Sequence, residues 1–276
     1  MDARIASLTY HEVKPDQATS GFQRPGARRY ACTPARFAAH LDVIAESPVA
    51  PSLVTDVAAD RALLLTFDDG GRSALYAADQ LERRGWRGHF FVVTGRIGER
   101  TFLDRAGVCE LRRRGHLVGT HSHTHPDVFR ALSPAAMLAE WRVSGEALSD
   151  LLGEACLAGA VPGGDSSPAV FAAAARAGLR FLFTSEPSLV PRAVAGCWIV
   201  GRFAVRAGTS PERIRALTRH RGWRAAALVR RLKLAARAIA PPLYRWYVER
   251  TTAPTTPSAA FGPRARRAHV TDRRDR

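Results

Sequence analysis

The sequence predicts an α/β fold built on parallel strands, and three observations carry that expectation. Short apolar runs alternate with segments of helical period through the first 205 residues. Polar residues collect where the runs end: His11, Asp68 and Asp69, Thr94, His121, Gly163 and Ser185. At 276 residues and 46% hydrophobic content, the chain has enough apolar side chains for one sizeable core. Parallel sheets place their chemistry at the carboxyl ends of the strands, whether the sheet closes into a barrel or stays open and doubly wound. The periodicity does not separate those two.

The elements follow in order. Residues 4–10 (Arg-Ile-Ala-Ser-Leu-Thr-Tyr) read as a first strand that ends at His11. Residues 14–31, rich in Pro, Gly and polar groups, read as a loop. Thr33-Pro34 supplies an N-cap and a first-turn proline, and Phe37, Leu41 and Ile44 follow at helical spacing. Leu63 to Phe67 is a buried strand, with helix expected from about Ser73 to Arg84. Strands at 89–94 and 116–120 flank a helix at 104–114. Ser133-Pro134 opens a long helix to Leu152. Strand 156–161, helix 168–177, strand 179–184 and a last strand, 197–205, complete the alternation.

Two stretches carry the chemistry. In Leu63-Leu64-Leu65-Thr66-Phe67-Asp68-Asp69-Gly70 a buried strand delivers two adjacent carboxylates to its carboxyl end, and the glycine permits a sharp exit. Neighbouring carboxylates repel unless one meets a cation or takes a proton, so one aspartate on a metal and the other free as a base is a natural division. Downstream, Gly119-Thr120-His121-Ser122-His123-Thr124-His125-Pro126 holds three histidines in five residues. A carboxylate with two imidazoles suits zinc and leaves room for water and substrate. In an extended segment His121, His123 and His125 would face one way, so spacing alone admits His123 as a ligand. His89 and His116 precede apolar strand residues and read as hydrogen-bonded structural histidines.

The pair of motifs, Thr66-Phe67-Asp68-Asp69-Gly70 followed by His121-Ser122-x-x-His125, resembles the polysaccharide deacetylase family, also called the NodB-homology or carbohydrate esterase 4 family. The resemblance spans roughly residues 5–205. It implies an irregular (β/α) barrel of about seven parallel strands, with a basic helical C-terminal extension beyond it. It also implies a metal-dependent hydrolase that removes N-acetyl groups from an N-acetylated sugar or polysaccharide. Asp68 resembles the general base. Asp69, His121 and His125 resemble the ligands of a divalent metal, with Zn2+ the expected ion. Pro162-Gly163-Gly164 resembles the third motif, in which a backbone N–H at Gly163 stabilises the oxyanion. Ser122 fits the family's Ser/Thr and is expected to hold the histidine loop.

Two departures bear on that assignment. Many members carry an arginine two residues before the third-motif proline, where this chain has Ala160. Many also end with a Leu-x-x-His motif whose histidine protonates the leaving amine, and Trp198-Ile199-Val200-Gly201-Arg202-Phe203 has no histidine. His11 is the substitute candidate for that acid, with His220 behind it. The departures keep two rival readings open: a catalytically impaired sugar-binding or membrane-peripheral scaffold, and a hydrolase of a non-sugar amide or imide.

The net charge of +16 is unevenly spread, with 22 basic and 21 acidic residues before Gly201 and 19 against 4 from there on. The division expected is a catalytic domain over 1–210, a basic helical extension over 211–250 and a disordered, Arg-rich tail over 251–276. Residues 223–250, basic and flanked by aromatics, can touch an anionic membrane surface peripherally or pack on the barrel with a solvated arginine face. Packing is favoured. No nucleic-acid recognition motif accompanies the basic tail. Four scattered cysteines without a Cys-x-x-Cys, and no secretory or membrane-spanning apolar segment, lead to the expectation of a cytoplasmic protein with reduced thiols.

Overall fold

The computed structural model describes residues 3–14, 19–57, 60–164 and 166–239. Its first third runs through strand β1 (Arg4–Tyr10), short strands β2 (Glu12–Val13) and β3 (Ala31–Cys32), helix α1 (Pro34–Ala45) and strand β4 (Arg61–Phe67). Helix α2 (Ser73–Glu82), β5 (His89–Val92), α3 (Arg105–Arg113), β6 (Leu117–Thr120) and α4 (Pro134–Leu152) continue the alternation. The last part holds β7 (Ala158–Ala160), α5 (Pro168–Arg176), β8 (Phe181–Phe183), β9 (Arg192–Val194), β10 (Cys197–Val200), β11 (Phe203–Ala204), α6 (Pro211–Thr218) and α7 (Trp223–Ile239).

Local sequence sets the helix starts. Helices α1, α4, α5 and α6 each begin Ser/Thr-Pro, at Thr33, Ser133, Ser167 and Ser210, and in each the hydroxyl accepts the backbone N–H three residues on. The hydroxyl satisfies one orphan donor, and proline fills a position whose N–H would be unpaired anyway.

The main sheet runs in the order β11-β1-β4-β5-β6-β7-β8-β10-β9, and β2 pairs with β3 separately. Every neighbour in the main sheet is parallel except β9, which lies antiparallel against β10. Strands β10 and β11 are separated by only Gly201 and Arg202, yet β10 pairs with β8 and β11 pairs with β1. They are two halves of one broken strand, and they bring the two ends of the parallel array together. The sheet is therefore curled into an irregular barrel of seven strand positions, as the family resemblance implied.

Alternate residues fill two layers, as the period of a strand requires. Ile5, Leu64, Phe91, Ala160, Phe183 and Val200 pack inside the curl. Leu8, Tyr10, Leu65, Phe67 and Phe90 pack outward beneath α1, α2 and α3, with Phe37, Leu41, Leu81 and Leu111. Ile214 and Leu217 of α6 and Trp223 at the start of α7 join this outer core, and the Trp223 indole N–H donates to the Leu217 carbonyl.

The structure departs from the sequence expectations in three places. The expected last strand, 197–205, is broken at Gly201-Arg202. Strand β9 and the short pair β2–β3 had no periodic signal, because two or three residues cannot show a period. Several strands are also shorter than their apolar runs, since the run continues into buried loop. Residues 240–276, which include part of the basic extension and the whole tail expected to be disordered, lie outside the described residues. Among the described residues no helix is long and apolar enough to cross a membrane. Cys32, Cys109, Cys156 and Cys197 are free.

Candidate active site

Strand β4 ends at Phe67, and the next three residues turn the chain away from the sheet. Asp69 and Gly70 both adopt left-handed backbone, with φ of 78° and 77°. That conformation is uncommon for a non-glycine residue and clusters where function demands it. Glycine is required at the second position, where a Cβ would come within 2.9 Å of Val92 Cγ1. The turn aims the two adjacent carboxylates at different partners.

Asp68 meets Arg202. The guanidinium donates from Nη1 to Oδ1 at 2.7 Å and from Nη2 to Oδ2 at 2.8 Å. Both side chains are almost fully buried, at 0% and 3% exposure. A buried ion pair is tolerated only when its remaining donors are satisfied. Arg202 meets that condition: Nη1 also donates to Thr9 Oγ1 and Thr66 Oγ1, and Nε donates to the Thr184 carbonyl. Phe91 and Phe183 flank it, with ring centroids 5.7 and 5.8 Å from the guanidinium carbon. Burial alone would raise the Asp68 pKa. Arg202, with His121 and His11 adding to it, instead holds the carboxyl below its ordinary value.

Asp69 faces two imidazoles. Its Oδ1 lies 3.4 Å from His121 Nε2 and 3.7 Å from His125 Nε2. One ligand atom from each of the three residues falls within 4.8 Å of the others. Donors around a tetrahedral cation with bonds of roughly 2.0–2.2 Å sit roughly 3.3–3.6 Å apart, so the spacing fits a shared divalent ion. The donor set fits as well. His121 Nδ1 lies 2.8 Å from the Ala160 carbonyl, which can only accept, so this nitrogen carries the proton and Nε2 presents its lone pair toward Asp69. Burial, reinforced by His121, pushes His125 down to about 4 and keeps it neutral. His121 is raised, because Asp68 and Asp69 outweigh its burial, and Asp69 is depressed by the histidines in spite of burial.

The histidine loop is held from α4. Ser144 Oγ donates to the Ser122 carbonyl and accepts from Thr120 Oγ1, which in turn accepts the Ser122 N–H. Ser122 Oγ accepts the His125 N–H, which is the loop-holding part expected of this serine. Glu140 accepts three donors: the N–H groups of His123 and Thr124 through Oε2, and the Thr124 hydroxyl through Oε1. Ser122 and His125 both lie in the left-handed region, at φ of 66° and 57°. This tight winding breaks the extended alternation, so the three histidines do not share a direction. His123 turns its Nδ1 to Thr94 Oγ1 at 3.0 Å and takes no part in the cluster.

A cleft of about 410 Å³ opens onto Asp68. His11, Tyr30, Gly163, Gly164 and Ser185 line it together with Arg206, Arg213 and residues of α7. The His11 ring stacks on Tyr30 at 4.6 Å, and its Nδ1 is buried without a hydrogen-bond partner. Gly163 follows Pro162 with φ of 61°, and open space surrounds the position a Cβ would take. Its requirement for glycine is therefore conformational, and its backbone faces the cleft uncovered.

The structure thus brings together Asp68, Asp69, His121, His125, Gly163 and His11. It does not bring His220, the second candidate acid. That residue follows α6 and feels Arg61 and Arg4, the first residues of β4 and β1, at the opposite end of the strands. His89 is fully buried, with Nε2 accepting the Val54 N–H and Nδ1 3.0 Å from the Leu65 carbonyl. In His116, Nδ1 accepts the Gly88 N–H and Nε2 lies 2.7 Å from Glu82. Both are structural, as expected. Sequence reasoning missed Arg202, Glu140 and Ser144. Only Arg202 left a signal, as a lone charge inside an otherwise apolar last strand.

Comparison with known proteins agrees with the fold and with the resemblance in the motifs. Residues 56–182 match the family model described as polysaccharide deacetylase. The sequence matches no curated protein. Among solved structures, the fold is similar to the deacetylase PplD of Streptococcus pyogenes, determined in complex with acetate: TM-score 0.64, 20% identity, 78% of this chain and 97% of that one. IcaB of Ammonifex degensii is similar over the same shares, with TM-score 0.64 and 22% identity. So is BC0361, a polysaccharide deacetylase of Bacillus cereus, with TM-score 0.66, 17% identity, and 78% and 68% of the two chains.

Proposed function

The chain carries a polysaccharide deacetylase domain, matched at residues 56–182, and from that premise we propose that it is a metal-dependent deacetylase of an N-acetylated sugar or glycan. It is a hydrolase of carbon–nitrogen bonds other than peptide bonds. The observation that carries the finer reading is the division of labour between the two aspartates, one paired with a buried arginine and the other with two imidazoles.

Asp69, His121 and His125 would hold the ion, with Zn2+ the expected one for this carboxylate–imidazole set. When bound, such an ion polarises an acetamide carbonyl and acidifies water. Asp68, kept ionised by Arg202, accepts the proton of the attacking water. Gly163 lines the cleft, and its N–H would donate to the carbonyl oxygen as that gathers negative charge. His11, which lines the same cleft, protonates the departing amine. Water and acetamide give acetate and a free amino sugar.

Arg202 also weighs on the rival readings. The absence of an arginine at residue 160 was one reason to suspect an impaired scaffold, and Arg202 supplies that charge from the break between β10 and β11.

The test is acetate release by Zn2+-loaded protein from a panel of N-acetylated oligosaccharides, beside Asp68→Asn and His121→Ala. Asp68→Asn is expected to keep Zn2+ and lose turnover. His121→Ala is expected to lose both. Full activity in Asp68→Asn would sink the base assignment, and undiminished Zn2+ affinity in His121→Ala would sink the ligand set.

A further inference from the structure

The cleft that His11 lines is strongly basic. Arg206 follows β11 and is exposed, with its guanidinium carbon 6.0 Å from the Tyr30 ring centroid. Arg213 lies in α6, 5.5 Å over the Phe203 ring, with Nη2 donating to the Gly222 carbonyl. Arg230 of α7 donates to the Gly164 carbonyl at 2.7 Å. Asp68 is the one acidic residue among those described as lining the cleft, and Arg202 already matches its charge.

Elsewhere on the surface, arginines pair with carboxylates: Arg24 with Asp127, Arg84 with Asp42, Arg112 with Glu154, Arg215 with Glu46. Arg206 and Arg213 instead rest on aromatic faces and a backbone carbonyl, and among the described residues no carboxylate pairs with either. A cleft lined by one sign of charge raises the local concentration of the opposite sign. Guanidinium forks match phosphate oxygens in pairs, and two such groups in one cleft suit a doubly ionisable group better than a single carboxylate.

We propose that the substrate is an N-acetylated sugar bearing a phosphate ester, and that Arg206 and Arg213 bind that phosphate while the acetamide reaches Asp68. The assignment rests on the deacetylase reading of the site. A nucleotide-linked sugar, a free sugar phosphate and a polyprenyl phosphate-linked sugar share this chemistry.

The test measures kcat/KM for acetate release from neutral N,N′-diacetylchitobiose and from four charged substrates. These are N-acetylglucosamine 1-phosphate, UDP-N-acetylglucosamine, detergent-solubilised polyprenyl diphosphate N-acetylglucosamine and an N-acetylated disaccharide ending in a uronate. At least one phosphate-bearing substrate is expected to exceed the neutral one by tenfold or more, and the arm that does so names the source. In Arg206→Gln and in the double variant with Arg213→Gln, that ratio is expected to fall toward one. In Arg84→Gln it is expected to hold. Arg206 is exposed, so its single variant reads the contact without disturbing the α6–α7 packing. Equal wild-type values for neutral and phosphate substrates overturn the proposal, as does a ratio indifferent to both arginine variants. A uronate matching the best phosphate overturns the phosphate assignment.

If no substrate releases acetate, calorimetric binding of N-acetylglucosamine 1-phosphate against N-acetylglucosamine decides separately. Phosphate-dependent binding lost in the double variant sustains this site while the deacetylase reading falls, and its absence overturns both.

Discussion

At the scale of single residues, Arg202 and Glu12 carry the largest electrostatic stakes. Truncating Arg202 leaves Asp68 a buried, unpaired carboxylate, which destabilises a protein by about 3–5 kcal/mol and drives the group to take up a proton. In Arg202→Met the base therefore gains pKa, turnover at neutral pH is expected to fall by about 100-fold or more, and the rising limb of the pH profile shifts to higher pH. Arg202→Lys keeps the charge but loses the fork, and is expected to lie between the two. An unshifted pH limb in Arg202→Met would show that Arg202 acts only in packing. Glu12 is the converse case. It is buried beside Ser20, Ser73 and Gly71, and burial pushes it up to about 7 against the hydrogen bonds of the two serines and the charge of Lys14. A carboxyl raised in the fold stays protonated there while the unfolded chain ionises. Stability is thus lost as pH rises from about 4.5 to about 7 and is level above. Between pH 5 and 8, metal-free wild type is expected to lose on the order of 3 kcal/mol more than Glu12→Gln in urea unfolding. A difference that does not move with pH would refute it.

At the scale of elements, helix α4 is as much a part of the site as the loop it supports. Its residues Glu140 and Ser144, one helical turn apart, gather the backbone of residues 122–124. Outer supports of metal ligands commonly set affinity within about 10–100-fold. Glu140→Ala is expected to weaken Zn2+ binding by about that factor, measured by competition with a chromogenic chelator, with the fold retained because Glu140 is only half-buried. Unchanged affinity would mean that Ser144 and Ser122 suffice. Legibility also divides at this scale. The paired aspartates and the histidine cluster were readable because contiguous residues on one strand end or one loop must arrive together. Glu140 and Ser144 sit on an ordinary amphipathic helix whose pattern reports only an apolar stripe, Met137, Trp141 and Leu148; Ser144 is buried within that stripe, where a small polar residue does not say what it bonds. His123 was ambiguous because spacing assumes an extended chain, and the left-handed turns at Ser122 and His125 remove that assumption.

For the molecule as a whole, alternating apolar runs were enough to predict parallel α/β architecture, while barrel closure came only from the family resemblance. The physical reason lies in the broken strand. Closure depends on β10 and β11 pairing at opposite ends of the array, a long-range event that leaves no periodic trace in residues 197–204. The same break gives Arg202 to Asp68, 134 positions earlier in the chain. During synthesis, β4 and the histidine loop leave the ribosome well before Arg202, the residue that pairs with Asp68. Asp69, His121 and His125 are thus all made early, while the partner of Asp68 arrives only with the final strand. Closure of the barrel and completion of the Asp68–Arg202 pair are thereby one event, so a copy whose last strand has not docked lacks both together.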